Sequence, residues 1–326
     1  MEELRIINKQ NIINNIHLNS NLINTNYVLE AFNRFIEYYK DKKPTTIKAY
    51  SKNIVAFSKW LQENNIHQLP TRDDIINFRD YLKSTNHKAT TINSYMNTLR
   101  QLFNFLTSEG VYNKNPYDNI KSLKLSKEFR KEALSLEQIK KVMAQFKRDT
   151  IKSKRDYAIL SLLFCCGLRT IELERALVED LDLDKNILHI QGKGRDEKTD
   201  YVKLPIELQE AIIEYLATRE DLKASDPLFT SESNNSINHG LDKGSISRIV
   251  KTSFRNVGLD SPKLTAHSCR HTTATLNLLN GGTLEETREL LRHTTIATTM
   301  IYAHIIDREK NKSEERIANL IFTNHQ

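Results

Sequence analysis

Residues 264–280 place His267, Arg270 and His271 at i, i+3 and i+4, so a helix there brings three cationic or polar groups to one side. Arg169 follows Gly167 and precedes Thr170, a glycine stop and a helix cap that predict a tight bend holding its guanidinium rigidly. Lys193 lies between Gly192 and Gly194, at the tip of an expected β-hairpin. His293 and Tyr302 close the set, nine residues apart. Singly, each of these residues has an ordinary structural reading. As an ordered set they offer cations and ring donors to an anion, together with one phenol.

Charge points to the same class of ligand. The 326 residues carry a net charge of +7, and residues 1–130 hold 19 Lys and Arg against 12 Asp and Glu, so the excess is N-terminal. A polyanion partner fits this asymmetry, because each cation that neutralises a phosphate releases counterions. The composition, 39% hydrophobic and 27% charged, is that of a globular protein of about two domains. No apolar run reaches the roughly 20 residues of a membrane span, and no secretory or transit signal is read at Met1–Gln10, so a cytoplasmic location is expected. Cys165, Cys166 and Cys269 have neither disulfide-framework nor metal-ligand spacing. With no phosphate-cradling glycine loop and no carboxylate pair in a metal-binding context, neither a cofactor nor a metal is expected.

The elements that must position these residues are mostly helices. Residues 1–26 read as a short N-terminal arm. Apolar stripes predict a helix from Val28 to before Pro44, a second through Ile47, Tyr50, Ile54, Phe57 and Leu61, a third opened by Thr71, and a fourth from about Thr90 to Glu109 stopped by Gly110. Together they make an independent basic bundle over 27–117. Residues 118–133 read as a linker, and 134–326 as a second domain. In that second domain Ser135 and Gln138 form a capping box, Tyr157–Cys166 is apolar nearly all round, and Asp180–Pro205 alternates as a small antiparallel sheet. Ile246, Ile249, Val250 and Phe254 make a buried stripe, with Arg248, Lys251 and Arg255 on another face that could follow a phosphate backbone.

In these residues the chain resembles the tyrosine recombinase, or phage integrase, family. The matching motifs are Gly167-Leu168-Arg169-Thr170-Ile171-Glu172-Leu173, Gly192-Lys193-Gly194, His267-Ser268-Cys269-Arg270-His271, and Leu291-Arg292-His293 through Thr298-Thr299-Met300-Ile301-Tyr302. Thr46 to Leu61 and Asn115-Pro116 resemble the family's core-binding domain. The resemblance spans about 28–322. It implies a mainly α fold: a four-to-five-helix, SAM-like core-binding bundle and a mixed α/β, mainly helical catalytic domain with a small antiparallel sheet, the two clamping a DNA duplex.

The implied chemistry suits the residues. A phosphodiester is a poor electrophile, and Arg169, Arg270 and His293 would hold its nonbridging oxygens and neutralise the transition state. A free tyrosine at pH 7 lies about three units below its pKa, a deficit of roughly 4 kcal/mol that a base and local positive charge offset. The resemblance implies Tyr302 as nucleophile, His267 as its base and Lys193 as general acid to the departing 5′ oxygen, leaving a 3′-phosphotyrosyl link. It also implies double-stranded recombination sites as substrate, a tetramer on DNA joined by a C-terminal oligomerisation helix, and an accessory directionality factor. Lys48, Lys52, Arg100, Arg248, Lys251, Arg255 and Arg292 are the expected DNA contacts.

Three positions depart from the family's pattern: Arg292 stands where glycine is usual, Lys198 adds a second candidate acid, and Cys269 replaces an apolar residue. The short segment before the bundle is read against a separate arm-binding domain. Two rival readings share the residue set, a type IB topoisomerase that relaxes supercoils and a catalytically idle DNA-binding regulator of the same fold.

Overall fold

The computed structural model describes residues 26–124, 132–192, 197–232 and 239–305, with 315, 317–318 and 321 near the end. The expected arm up to residue 25, the hairpin tip with Lys193, and most of the C-terminal helix lie outside them. The chain divides into two compact units, residues 1–127 and 128–326. Among the described residues no helix is long and apolar enough to cross a membrane.

Among the described residues four helices build the first unit: α1 (Asn26–Tyr38), α2 (Pro44–Glu63), α3 (Arg72–Ser84) and α4 (Ala89–Ser108). Pro44 starts α2, where its missing N–H is not needed, and Thr71 with Asp74 forms a reciprocal capping box on α3. Their apolar stripes meet in one core around Phe35, Phe57, Phe78, Leu99 and Phe103. Buried Asn53 donates to the Thr98 hydroxyl at 2.8 Å, a polar tie between α2 and α4. The chain stays on this unit past α4: Tyr117 and Ile120 are buried in its core, and the Asn93 amide bonds both the N–H and the carbonyl of Leu123. This is five residues beyond where the sequence reading opens its linker.

The second unit contains α5 (Leu136–Ala144), α6 (Ile151–Cys165), α7 (Thr170–Glu174), strands β1 (Leu181–Asp182), β2 (Ile187–Ile190) and β3 (Asp200–Lys203), α8 (Ile206–Leu216), α9 (Lys243–Asn256), α10 (Ala266–Leu279), α11 (Leu284–Leu291) and α12 (Ile296–Thr299), with a 3₁₀ turn over Met300–Ile305. Buried on nearly every side, α6 is the centre of the core. The sheet runs β1-β2-β3, antiparallel throughout, with Leu181 opposite Leu188 and Ile190 opposite Asp200. Leu188, Ile190 and Val202 face the core from it.

Between α6 and α7 the chain turns at Gly167 with φ +56°, a conformation that only glycine adopts freely. A Cβ there would stand 2.7 Å from Leu291 Cδ2, so the bend and the end of α11 are in direct contact. α10 lies against α6 through Thr273, whose hydroxyl donates to the Phe164 carbonyl at 2.8 Å. These two contacts bring the bend, α10 and the end of α11 to one place.

Candidate active site

Arg169 is itself the N-cap of α7, one residue before the cap expected at Thr170. Glu172, one turn on, holds both ends of it: Oε2 accepts the Arg169 backbone N–H at 2.8 Å and Oε1 accepts from Nη1 at 2.7 Å. Oε2 also takes Nη2 of Arg292 at 3.0 Å, so a carboxylate with no solvent exposure lies between two guanidiniums. Burial pushes the Glu172 pKa up, but the charge of Arg292, the Arg169 backbone N–H and the Arg169 guanidinium outweigh it and hold the group below its ordinary value.

Arg270 reaches the same bend from α10. Its Nη1 donates to the Gly167 carbonyl at 2.6 Å and its Nη2 to the Leu291 carbonyl. The side chain is among the largest fully buried ones in the protein. Burial, and then the charges of Arg169 and Arg292, lower its pKa to about 9, which leaves it protonated at neutral pH.

His293 follows α11 and is also buried. Its Nδ1 is 2.8 Å from the Thr299 hydroxyl on α12, and its carbonyl accepts from Arg288 Nη1 at 3.0 Å, which fixes both ring and backbone. Burial, then Arg270, Arg169, Arg292 and His267, depress its pKa to about 4. The imidazole is therefore neutral at pH 7, with one ring nitrogen a donor and the other an acceptor.

Tyr302 is 2% exposed. Its hydroxyl lies 2.7 Å from Nδ1 of buried His271, and burial raises the phenol to about 12 against a lowering by Arg270. His267, expected as the base, is exposed one turn earlier on α10 and meets His271 edge-on at 4.8 Å between ring centres. The two rings and the phenol thus form a row along one face of α10. Sequence reasoning put all three α10 groups on one side but did not give His271 a role, and it passed over Glu172; the signals were the i+4 spacing from His267 and a glutamate at N3 of the helix that Arg169 caps.

Lys193 lies outside the described residues. Lys198, the other candidate acid, is bonded at 2.7 Å to the buried carboxylate of Asp180, which also accepts the Leu177 N–H. Arg175 Nη1 holds the Gly192 carbonyl at 3.3 Å. Both contacts anchor the β2–β3 connection to the body of the unit. Cys166 and Cys269 are buried, and burial pushes both thiols well up, to about 12 for Cys166, which keeps them protonated.

The expected DNA contacts divide into free-facing and engaged groups. Lys48 and Lys52 are exposed on α2. Arg248 is exposed on α9, with a bond to Ser245, whereas Lys251 and Arg255 of the same row both pair with Asp260. Arg100 sits over the Tyr117 ring, 5.2 Å from its centre. Arg292 is turned inward onto Glu172.

The phage integrase family model matches residues 132–309, and the phage integrase N-terminal SAM-like domain matches 30–110. The chain belongs to the phage integrase family. Among its relatives, the tyrosine recombinase XerC of Caldanaerobacter subterraneus is 30% identical over 86% of this chain and 83% of the relative. The XerC of Thermodesulfovibrio yellowstonii is 29% identical over 87% and 93%, and the XerD of Listeria innocua 27% over 86% and 94%. The fold is that of the Tn1549 transposon integrase in complex with transposon right end DNA, with a TM-score of 0.66 at 18% identity over 90% of this chain and 99% of that one. XerH bound to its palindromic difH substrate gives 0.67 at 18% identity over 94% and 93%. The protein is accordingly a tyrosine recombinase, an enzyme that cleaves and rejoins DNA in site-specific recombination.

Proposed function

We propose that Arg169, Arg270 and His293 bind the scissile phosphate of a recombination site and that Tyr302 attacks it. The observation that carries this reading is the gathering of the three groups at one bend: Arg270 bonds the Gly167 and Leu291 carbonyls, Arg169 follows that glycine, and His293 follows that leucine. Two cations and a neutral imidazole donor at one phosphate neutralise the charge that grows on the pentacoordinate phosphorus. The Tyr302 oxygen forms the new bond to phosphorus, the bond to the 5′ oxygen breaks, and that oxygen leaves with a proton from Lys193. His271, bonded to the phenol in its buried seat, takes the phenolic proton as the ring leaves that seat, and His267 lies behind it as the exposed end of the row.

Ionising a phenol whose pKa stands at about 12 costs about 7 kcal/mol at pH 7, so removal from its buried seat is part of activation. At 2% exposure the ring reaches a phosphate only after α12 and the 3₁₀ turn shift. In this reading DNA binding drives that shift. Tyr302→Phe is expected to retain DNA binding and to abolish the covalent adduct on a nicked suicide duplex; an adduct that survives the change would sink the assignment.

Ile317 and Ile321, one helical turn apart, are both exposed, which supports docking of this segment on a neighbouring protomer in a tetramer on two duplexes. Deletion from Ile317 onward should lower assembly more than single-site binding, measured by sedimentation and by gel shift; equal losses would count against it. An accessory directionality factor and a cytoplasmic site of action belong to the same proposal, and follow from DNA as substrate rather than from a contact in the fold.

A further inference from the structure

We infer that Arg292 is a positioning residue of the cleavage reaction, acting through Glu172 to fix the guanidinium of Arg169. This rests on the reading of the site given above and adds to it a residue expected from the sequence only as a DNA contact.

Arg292 ends α11 in the left-handed conformation, φ 52° and ψ 49°, which a side chain with a Cβ adopts against steric resistance. Its guanidinium points inward with 8% of the side chain exposed. Nη1 donates to the Leu290 carbonyl at 2.6 Å and to that of Cys166 at 3.3 Å, and Nη2 to Glu172 Oε2 at 3.0 Å and to the Gly167 carbonyl at 3.4 Å. Its Nε is buried without a hydrogen-bond partner. A strained backbone and an orphaned buried donor at one residue are both unfavourable for stability, and such outliers persist where the side chain does something else.

What it does is set by the carboxylate it touches. Glu172 has two oxygens and three donors: the Arg169 backbone N–H and Arg292 Nη2 share Oε2, leaving Oε1 for Arg169 Nη1. Arg292 therefore fixes the plane of the carboxylate, and that plane sets the direction of the Arg169 guanidinium. Arg292 also shares the Gly167 carbonyl with Arg270, so both phosphate-binding arginines are referenced to it. A glycine at this position would relax the backbone and leave the Glu172 carboxylate without this second cation.

The test uses the full-length protein and the nicked duplex that the wild type cleaves best from a randomised library. Arg292→Gly is expected to slow single-turnover cleavage at saturating duplex about ten-fold while the Kd for the duplex stays within about two-fold. In a Glu172→Gln background the same substitution should add nothing, because the route runs through that carboxylate. Arg292→Lys, which keeps charge but loses the fork, should fall between and serves if the glycine variant does not fold. Independent additive losses, or a Kd that rises with the rate loss, would overturn the proposal in favour of a direct phosphate contact, as would a glycine variant of wild-type rate. Absence of any adduct with the wild type would instead strike the functional reading. A DNA-free readout then still decides: by NMR the His293 ring, near Arg270 and His267 of α10, Arg169 of the bend and Thr299 of α12, should titrate closer to its ordinary value in Arg292→Gly. An unmoved titration would count against an Arg292 seated at the site.

Discussion

The two units of the protein bury different kinds of side chain. Among the described residues of the first, the buried polar groups are Ser51, Asn53 and Thr98, all neutral, and its charges face outward. The second buries Arg155, Asp156, Glu172, Asp180, Arg270, His271 and His293 within a core of comparable apolar character. An apolar core is indifferent to pH and salt. Buried charges are held only while each has its partner, and several of these partners are themselves the groups that would meet a phosphate. In the proposed reading, binding surface and reaction chemistry thus differ in their physics: exposed lysines over a core of neutral groups in one unit, interior charge in the other.

That contrast can be broken or sharpened experimentally. The largest effect is expected from Phe57→Ala, which empties the centre of the first core and should cost about 4 kcal/mol in denaturant titration, equally at pH 5 and pH 8. A pH-dependent loss would show that the first unit also relies on hidden charge. Glu172→Ala, which leaves two guanidiniums without their carboxylate, should cost about 3 kcal/mol at pH 7. Because the Glu172 pKa is lowered on folding, its contribution is present above the unfolded carboxylate value near 4.3 and disappears as pH falls through the folded one, so wild type and variant should converge in acid.

His293 shows the same sign of dependence in a higher pH window. Its folded value of about 4 lies below the unfolded value near 6.5, so the unfolded chain binds the proton more readily and stability drops as pH falls from 6.5 towards 4. The drop should reach about 3 kcal/mol, and His293→Gln should flatten that part of the stability curve. The smallest effect is expected on the first unit's surface: removing the charge of Lys48 and Lys52 should weaken DNA binding by about 1 kcal/mol each and lower the salt slope by about one per residue, with no change in melting. Unchanged slopes would remove α2 from the DNA-facing surface.

Periodicity carried much of the fold. The stripe Ile54, Phe57 and Leu61 is buried as its spacing requires, and Thr71 and Ser135 open helices where the pattern puts them. Of the site, the helical placement of His267, Arg270 and His271 was legible, as was a bend at Gly167. Which histidine meets the phenol was not, since both share a face and their burial is decided by α12 and the following turn. Glu172 stands at N3 of the helix that Arg169 caps, a role the sequence reading did not assign; that its carboxylate also joins Arg169 to Arg292 depends on the end of α11 arriving from 120 residues away. The inward course of Arg292 depends on a left-handed backbone that no local pattern announces.

The seating of Arg270 governs how its own replacement must be read. The carbonyls it joins terminate two separate helices, so the side chain works as a rivet through both as well as the proposed hand for the phosphate. A lysine there would keep the charge and lose the rivet, because one ammonium cannot span two diverging acceptors as a planar fork does. Loss of cleavage on substituting Arg270 would therefore mix two failures, and only a measurement of how firmly α11 stays seated would separate them.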